Sequence, residues 1–377
     1  MMNRRWRYLL LIAALLAIAG GVMAFQRFVP NGLRAVTVVQ GLDTPWAMAF
    51  LPDGRFLVTE RPGRLRIATL DGQVGPALNG LPPVYHAGEG GLMDVAVDPD
   101  FASNRRIYWT YSEPAVADGK SPTAVATAVL EGNDLREVRV IFRQQPEAGE
   151  DSHFGSKLLF SPDGHLFVGL GDRDRRDDAQ LPGSTNGKLI RITTDGSIPA
   201  DNPFVDVPDA HPAVWSFGHR NIQGLAWHPV SGELWASEHG PNGGDEINII
   251  RRGANYGWPI ITYGCEYGTC KKIGEGTEKA GMQQPQAWFG PQSVPLTALL
   301  FVSGERYPDL QGQLLVGTLW GQALMRVQLD GDRVVEREPI RFRPHGRIRD
   351  LDMGPDGWIY MVSNVPDGRI LRLQPIF

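Results

Sequence analysis

Four polar stretches of this chain are too rich in Gly, His, Arg and Asp to be core, and each could carry chemistry. The first, Glu150-Asp-Ser-His-Phe-Gly-Ser-Lys157, is followed across a hairpin by Gly169-Leu-Gly-Asp-Arg173. Adjacent strands would bring His153 and Asp172 to the same end of a sheet. An imidazole oriented by a carboxylate is a general-base arrangement, because imidazole titrates near neutral pH. A His at a sheet edge and an Asp closing a turn is the plainer alternative. The second stretch, Phe217-Gly-His-Arg-Asn-Ile-Gln-Gly224, sets Arg220 beside Asn221 at the entrance to a hairpin. Such a pair can hold an anion or a developing oxyanion, although a surface ion pair would use the same arginine.

The third stretch, Glu238-His-Gly-Pro-Asn-Gly-Gly-Asp-Glu-Ile-Asn248, is dense in turn residues and carboxylates. Carbonyls freed by Gly-Pro together with nearby acids suit a hard cation such as calcium, without matching the EF-hand spacing; a plain loop is the alternative. The fourth, Gly346-Arg-Ile-Arg-Asp350, puts Arg347 and Arg349 on one face of a strand. Two guanidiniums side by side repel unless an anion joins them, so a polycarboxylate or phosphate ligand is implied, with salt bridges to neighbouring elements as the alternative.

The elements that must position these stretches repeat six times. Each copy is an apolar run, a tight turn near a proline (Pro52, Pro99, Pro162, Pro229, Pro308 and Pro355) and a second run rich in aromatic or β-branched residues. Pro-Asp-Gly turns make each copy a hairpin, because proline presets φ, Asp bonds its own backbone and Gly accepts positive φ. A second hairpin half usually follows, as at Gly63-Arg-Leu-Arg-Ile-Ala and Lys188-Leu-Ile-Arg-Ile. About four short strands per unit, six times over, predicts an all-β, six-bladed β-propeller of four-stranded antiparallel blades. Closure predicts that Arg34-Ala-Val-Thr-Val-Val39 pairs with a C-terminal strand such as Ile370-Leu-Arg-Leu373.

Composition agrees. With 45 Gly and 29 Pro among 377 residues the chain is turn-rich, and no sustained helical periodicity follows residue 30. A net charge of −5 with interleaved signs argues against nucleic-acid binding. Arg4, Arg5 and Arg7 precede an apolar run from Leu9 to Phe25 that ends near Val22-Met-Ala24. Residues 1–24 read as a cleaved export signal or an uncleaved anchor, with the propeller at 30–377 periplasmic or otherwise exported. Export favours oxidation of the two cysteines, Cys265 and Cys270, to a loop-stapling disulfide; two free loop thiols are the alternative.

Six segments carry a family resemblance from about Gly41 to Leu373. They are Gly88-Glu-Gly-Gly-Leu-Met, His153-Phe-Gly-Ser-Lys-Leu, Gly218-His-Arg-Asn-Ile-Gln-Gly, Glu238-His-Gly-Pro-Asn through Asp245-Glu-Ile-Asn, Gly253-Ala-Asn-Tyr-Gly-Trp-Pro259 and Arg347-Ile-Arg-Asp. Together they resemble the soluble quinoprotein sugar dehydrogenases, the glucose/sorbosone dehydrogenase family, and most closely its bacterial aldose branch. The resemblance implies a propeller holding pyrroloquinoline quinone (PQQ) and Ca²⁺ at its mouth and oxidising aldoses at C1 to the lactone. It implies His153 as the base, Asp172 as its orienting partner, and Arg220 with Asn221 at the reactive carbonyl. Glu89, Arg347 and Arg349 would contact the cofactor. Gly240 and Pro241 would offer carbonyls to its calcium, and Glu246 and Tyr256 would hold a second, structural calcium. Three departures stand out: Glu89 replaces a Gln, Trp320 a cofactor-contacting Lys, and Ser152 an Asp. The implied partners are an aldose and an external electron acceptor, a quinone or a cytochrome, with the protein a monomer or homodimer. Rival readings are a metal-dependent lactonase or esterase, which leaves the paired arginines unexplained, and a binding propeller suggested only by Tyr108-Trp-Thr-Tyr111.

Overall fold

The turns form as their residues require. In the first hairpin Gly54 takes φ +85° and donates to the Leu51 carbonyl at 3.0 Å, while Asp53 Oδ1 accepts the Arg55 N–H at 3.1 Å. The Asp356-Gly357 turn repeats the pattern, with Gly357 at φ +75° and Asp356 Oδ1 accepting from the Trp358 N–H at 3.2 Å. The computed structural model describes residues 32–115, 121–149, 151–320, 323–341 and 346–376; the proposed export segment at 1–24 lies outside them.

These hairpins double into six four-stranded antiparallel sheets. The first blade holds strands Pro45–Phe50, Phe56–Glu60, Arg64–Ala68 and Val74–Ala77, and the second Leu92–Val97, Arg106–Ser112, Thr123–Glu131 and Asp134–Arg143. The third holds Leu158–Phe160, Leu166–Gly169, Lys188–Ile192 and Val214–Phe217, and the fourth Ile222–Trp227, Leu234–Glu238, Glu246–Ile250 and Ala287–Trp288. The fifth runs Leu296–Phe301, Leu314–Thr318, Ala323–Asp330 and Arg333–Arg341. The sixth is made of Ile348–Met353, Ile359–Ser363 and Gly368–Pro375, completed by the first strand of the chain, Leu33–Leu42. That last pairing aligns Ala35 with Leu373 and Val39 with Ile370, as the sequence predicts. The innermost strands of neighbouring blades contact one another in a closed ring.

The core is distributed rather than central. A separate apolar cluster fills each interface between neighbouring blades: Leu57 and Trp109 pack between the first and second, Tyr108 and Leu166 between the second and third, and Val39 and Phe56 between the sixth and first. Hydroxyls on the second strands of the first, second and fourth blades tie each of these to the next. Thr59 donates to the Met93 carbonyl at 2.6 Å, Thr110 to Ser156 at 2.9 Å and Ser237 to Thr297 at 2.5 Å. Toward the axis lies a polar knot. Lys157 Nζ donates to Asp94 at 3.2 Å and Asp350 at 3.0 Å, while the same two carboxylates accept the backbone N–H groups of Leu158 at 2.6 Å and Met48 at 3.1 Å. Four blades are thereby joined through three side chains.

Candidate active site

His153 and Asp172 flank the first hairpin of the third blade, His153 before its inner strand and Asp172 after its second. Gly171 makes their approach possible: a Cβ there would lie 1.8 Å from the His153 carbonyl oxygen and 2.9 Å from Asn221 Oδ1. The close passage holds His153 at φ +51°, a region non-glycine residues seldom occupy, and such strain tends to collect at functional sites. His153 Nδ1 meets Asp172 Oδ1 at 2.7 Å and Asp174 Oδ1 at 3.1 Å. Carboxylates only accept, so Nδ1 carries the proton and Nε2 is left as the acceptor. Asp172 is fixed in turn: Trp258 Nε1 donates to its Oδ2 at 2.7 Å, and its N–H donates to the Arg220 carbonyl at 2.7 Å. The two residues therefore form the oriented imidazole that the sequence spacing suggests.

Glu89 reaches the same place from the loop before the second blade, where its carboxylate accepts the His153 backbone N–H at 2.8 Å. Asn221 Oδ1 accepts from the Gly155 N–H and from Gln223 Nε2, both at 3.0 Å. Arg220 lies with its guanidinium 5.5 Å from the Trp258 ring centre and donates to the carbonyls of His239 at 3.1 Å and Gly240 at 2.8 Å. Its own N–H donates to Glu238 Oε2 at 2.9 Å.

Opposite stands a wall of cations from the sixth and first blades. Arg349 is 9 % exposed, stacks 3.9 Å over the Trp46 ring, donates Nη1 to Gln223 Oε1 at 2.6 Å and keeps a buried Nε with no partner. Burial first, then the like charges of Arg347 and Arg61, push its guanidinium down to about 9. Burial lowers Arg347 and Arg61 as well, with Glu89 the carboxylate that opposes the shift in both. Arg61 is held in place by the carbonyls of Gly88 at 2.6 Å and Gly90 at 2.8 Å. Three cations thus converge around one carboxylate.

A cleft beside Arg220 and Trp258 has the reverse charge. Gly240, Pro241, Glu246 and Tyr256 all line it, together with Glu238. Burial and the neighbouring Glu238 and Asp245 push the Glu246 carboxyl well above its usual range, and burial raises Asp245 to about 6. Asn248 Nδ2 bridges Glu238 at 2.8 Å and Glu246 at 3.4 Å and leaves its Oδ1 buried without a partner. Two carboxylates lining one cleft with the Gly240-Pro241 turn form an acidic set that fits a hard cation. Tyr256 contributes no free hydroxyl: that group donates to the Ile249 carbonyl at 2.6 Å and accepts from the Arg251 N–H at 2.8 Å, while its ring stacks 4.5 Å from His219. The residues that the resemblance divides between two calcium ions line one cleft.

Several participants were not singled out from the sequence. Trp258 had a signal, since it stands in Gly-Trp-Pro of the fifth family segment. Gln223 likewise stands in the third family segment, whereas Arg61 and Trp46 had no signal and meet Arg349 only because the ring closes. Trp320, 59 % exposed after the second strand of the fifth blade, makes none of these contacts.

Comparison with known proteins bears on the whole chain. A family model described as Glucose / Sorbosone dehydrogenase matches residues 42–372. The aldose sugar dehydrogenase YliI of Escherichia coli is 41% identical over 351 residues, covering 92% of this chain and 94% of its own. Quinoprotein glucose dehydrogenase B of Acinetobacter calcoaceticus is 33% identical over 415 residues, 89% of this chain and 86% of its own. Among solved structures, the apo soluble aldose sugar dehydrogenase of E. coli superposes with a TM-score of 0.88 at 39% identity, covering 91% of this chain and 99% of its own. The PQQ-bound aldose sugar dehydrogenase of Streptomyces coelicolor gives 0.75 at 28% identity, covering 92% and 99%.

Proposed function

This chain belongs to the glucose/sorbosone dehydrogenase family, a family of sugar-oxidising enzymes, and from that premise we propose that it is a PQQ- and Ca²⁺-dependent aldose dehydrogenase that converts the sugar C1 to the lactone. The observation that carries the reading is the cation wall. Arg61 and Arg347 both act on Arg349, which keeps a buried Nε without a partner, and a planar ligand bearing several carboxylates supplies what is missing.

When bound, PQQ accepts the C1 hydride and Ca²⁺ polarises it as a Lewis acid. The chain's own residues do the rest. His153 takes the C1 hydroxyl proton at Nε2, and Asp172 stabilises the resulting imidazolium through the 2.7 Å bond at Nδ1. Trp258 and the Arg220 carbonyl keep Asp172 from turning away. Arg220 and Asn221 supply the hydrogen-bond donors and positive charge at the reactive carbonyl. Arg347 and Arg349 would grip the ligand carboxylates, and the carbonyls of Gly240 and Pro241, with Glu238 and Glu246 beside them, would hold the cation. The Gly240 carbonyl also accepts from the Arg220 guanidinium at 2.8 Å.

The Cys265–Cys270 disulfide supports an exported protein, as oxidising compartments do, and with it periplasmic action with electrons passed to an external acceptor. Among the described residues no helix is long and apolar enough to cross a membrane. The hydrolase alternative would draw on the cluster of His153, Asp172 and Asp174, whose ligand atoms lie within 4.8 Å of one another. That reading leaves Arg347 and Arg349 without a role.

Reconstitution tests the proposal: apoprotein, PQQ, Ca²⁺, an aldose and a redox dye. Dye reduction should require cofactor and metal together, and NAD should not substitute, because no Gly-rich strand-to-helix fingerprint is present. Inactivity toward hexoses, pentoses and disaccharides, with no spectroscopic sign of PQQ binding, would remove the reading.

A further inference from the structure

Beside the mouth runs a loop to which the mechanism above assigns no role. Cys265 and Cys270 are joined within it, and Cys265 is also half of an isolated antiparallel bridge to Asn242. The Asn242 N–H donates to the Cys265 carbonyl at 3.0 Å, and the Cys265 N–H donates back at 3.1 Å. Asn242 directly follows Pro241. The two backbones are pressed together at this point: a Cβ on Gly264 would lie 2.8 Å from Pro241 Cγ and 2.9 Å from the Gly244 N. Pro241 is thus backed by the chain that leads into the disulfide.

The far side of the same loop reaches the general base. Inside the disulfide ring the Cys270 N–H donates to the Glu266 carbonyl at 2.9 Å, which orients Glu266 outward. The Glu266 carboxylate takes Arg176 Nη1 at 2.7 Å, and the Arg176 guanidinium lies 5.5 Å from the ring centre of Trp258, the donor that fixes Asp172. One small covalent ring therefore touches both halves of the mouth, the carbonyl turn and the support of the His153–Asp172 pair.

We infer that the Cys265–Cys270 disulfide is a positioning element for the cation cleft, setting its Ca²⁺ affinity by holding the turn from Gly240 to Gly244 in its binding shape. The inference rests on the proposal that this cleft holds a cation. The turn carries Gly240, Gly243 and Gly244, and a segment so rich in glycine loses much freedom when it is ordered. A backing strand anchored by a covalent link means that this ordering is largely complete before the ion arrives, which is how preorganisation raises affinity. A link between residues only five apart in sequence constrains the unfolded chain little, so the effect should be local rather than global. The metal affinity would then depend on the redox state of the compartment, and the protein would load its cation fully only after oxidation.

The test is a calorimetric Ca²⁺ titration of the metal-free protein in four forms: wild type oxidised, wild type treated with reductant, Cys265→Ser/Cys270→Ser, and Gly264→Ala. Melting temperatures are measured on the same samples. Oxidised wild type should bind Ca²⁺, with roughly tenfold weaker binding after reduction or in the double serine variant, and melting lowered by only a few degrees. Gly264→Ala keeps the disulfide but pushes Pro241, so it should weaken Ca²⁺ binding in the same direction. No Ca²⁺ binding by oxidised wild type would defeat the cation reading itself and the inference with it. Equal affinity in oxidised wild type and the double serine variant would overturn the positioning role alone. A weakened affinity that simply tracks a large loss of melting temperature would also overturn it, since that is what a general structural staple would do.

Discussion

Two charged groups of side chains sit near the propeller axis, one in the Lys157 knot and one in the mouth. In the knot, Lys157 lies between Asp94 and Asp350, and each carboxylate also takes a backbone N–H from a neighbouring blade. Every charge there has protein partners, and the groups join blades. In the mouth, Arg349 keeps an unpartnered Nε and is depressed by burial and then by two other arginines, while Glu246 is raised by burial and then by Glu238. The mouth separates its excess positive charge from its excess negative charge and neutralises neither. Buried charges that answer one another hold a fold together, whereas charges left unanswered mark the shape and sign of something that binds.

Perturbing the two groups should give opposite results. Lys157→Met leaves Asp94 and Asp350 facing each other without their cation and should cost about 3–5 kcal/mol of stability, read by chemical denaturation. His153→Ala should lower turnover at least about 10²-fold while PQQ affinity in a fluorescence titration stays close to wild type. Wild-type turnover in that variant would move the base elsewhere, with His239 the nearest alternative. Arg349→Ala should weaken PQQ binding by about 1.5–3 kcal/mol, the loss of a charge-assisted bond. It should leave the apoprotein no less stable, since it relieves repulsion. A large loss of apoprotein stability in Arg349→Ala would erase the distinction between knot and mouth.

The smallest effect concerns pH. Asp352, close to the knot, is pushed up to about 7 by burial first and by Asp350 next, against Lys157, and Asp94 rises to about 6. A carboxyl raised on folding binds its proton more tightly in the native state. Its contribution is complete below about pH 4 and is lost as pH climbs through the raised value. Metal-free protein should therefore lose stability between pH 5 and pH 8, by at most about 1.4 kcal/mol per pH unit from each such carboxyl, and Asp352→Asn should flatten that slope.

Much of this was legible from one dimension. The prolines mark six hairpins, one in each blade, because turn chemistry is local, and the closing strand follows from the need to cover a sheet edge. The His153–Asp172 pair could be read because a single hairpin separates the two residues. Arg61 could not, since it meets Arg347 and Arg349 only where the first and sixth blades touch. Thr59, Thr110 and Ser237 look like ordinary strand residues, and nothing in their local sequence says that their hydroxyls cross to the next blade. The Lys157 knot joins residues up to 302 positions apart, beyond the reach of any spacing argument.

The sixth blade has a consequence for how the protein comes into being. Its outer strand, Leu33–Leu42, precedes all the other described strands in chain order and its partner Gly368–Pro375 follows them, with Arg34 bonded to Gln374 across 340 positions. Contacts of such sequence separation form late and slowly. A nascent chain can build individual hairpins as they emerge, but the ring stays open until Gly368–Pro375 has emerged. That delay would make loss of Gly368–Pro375 a kinetic defect, felt as slow or failed closure before it is felt in any one contact.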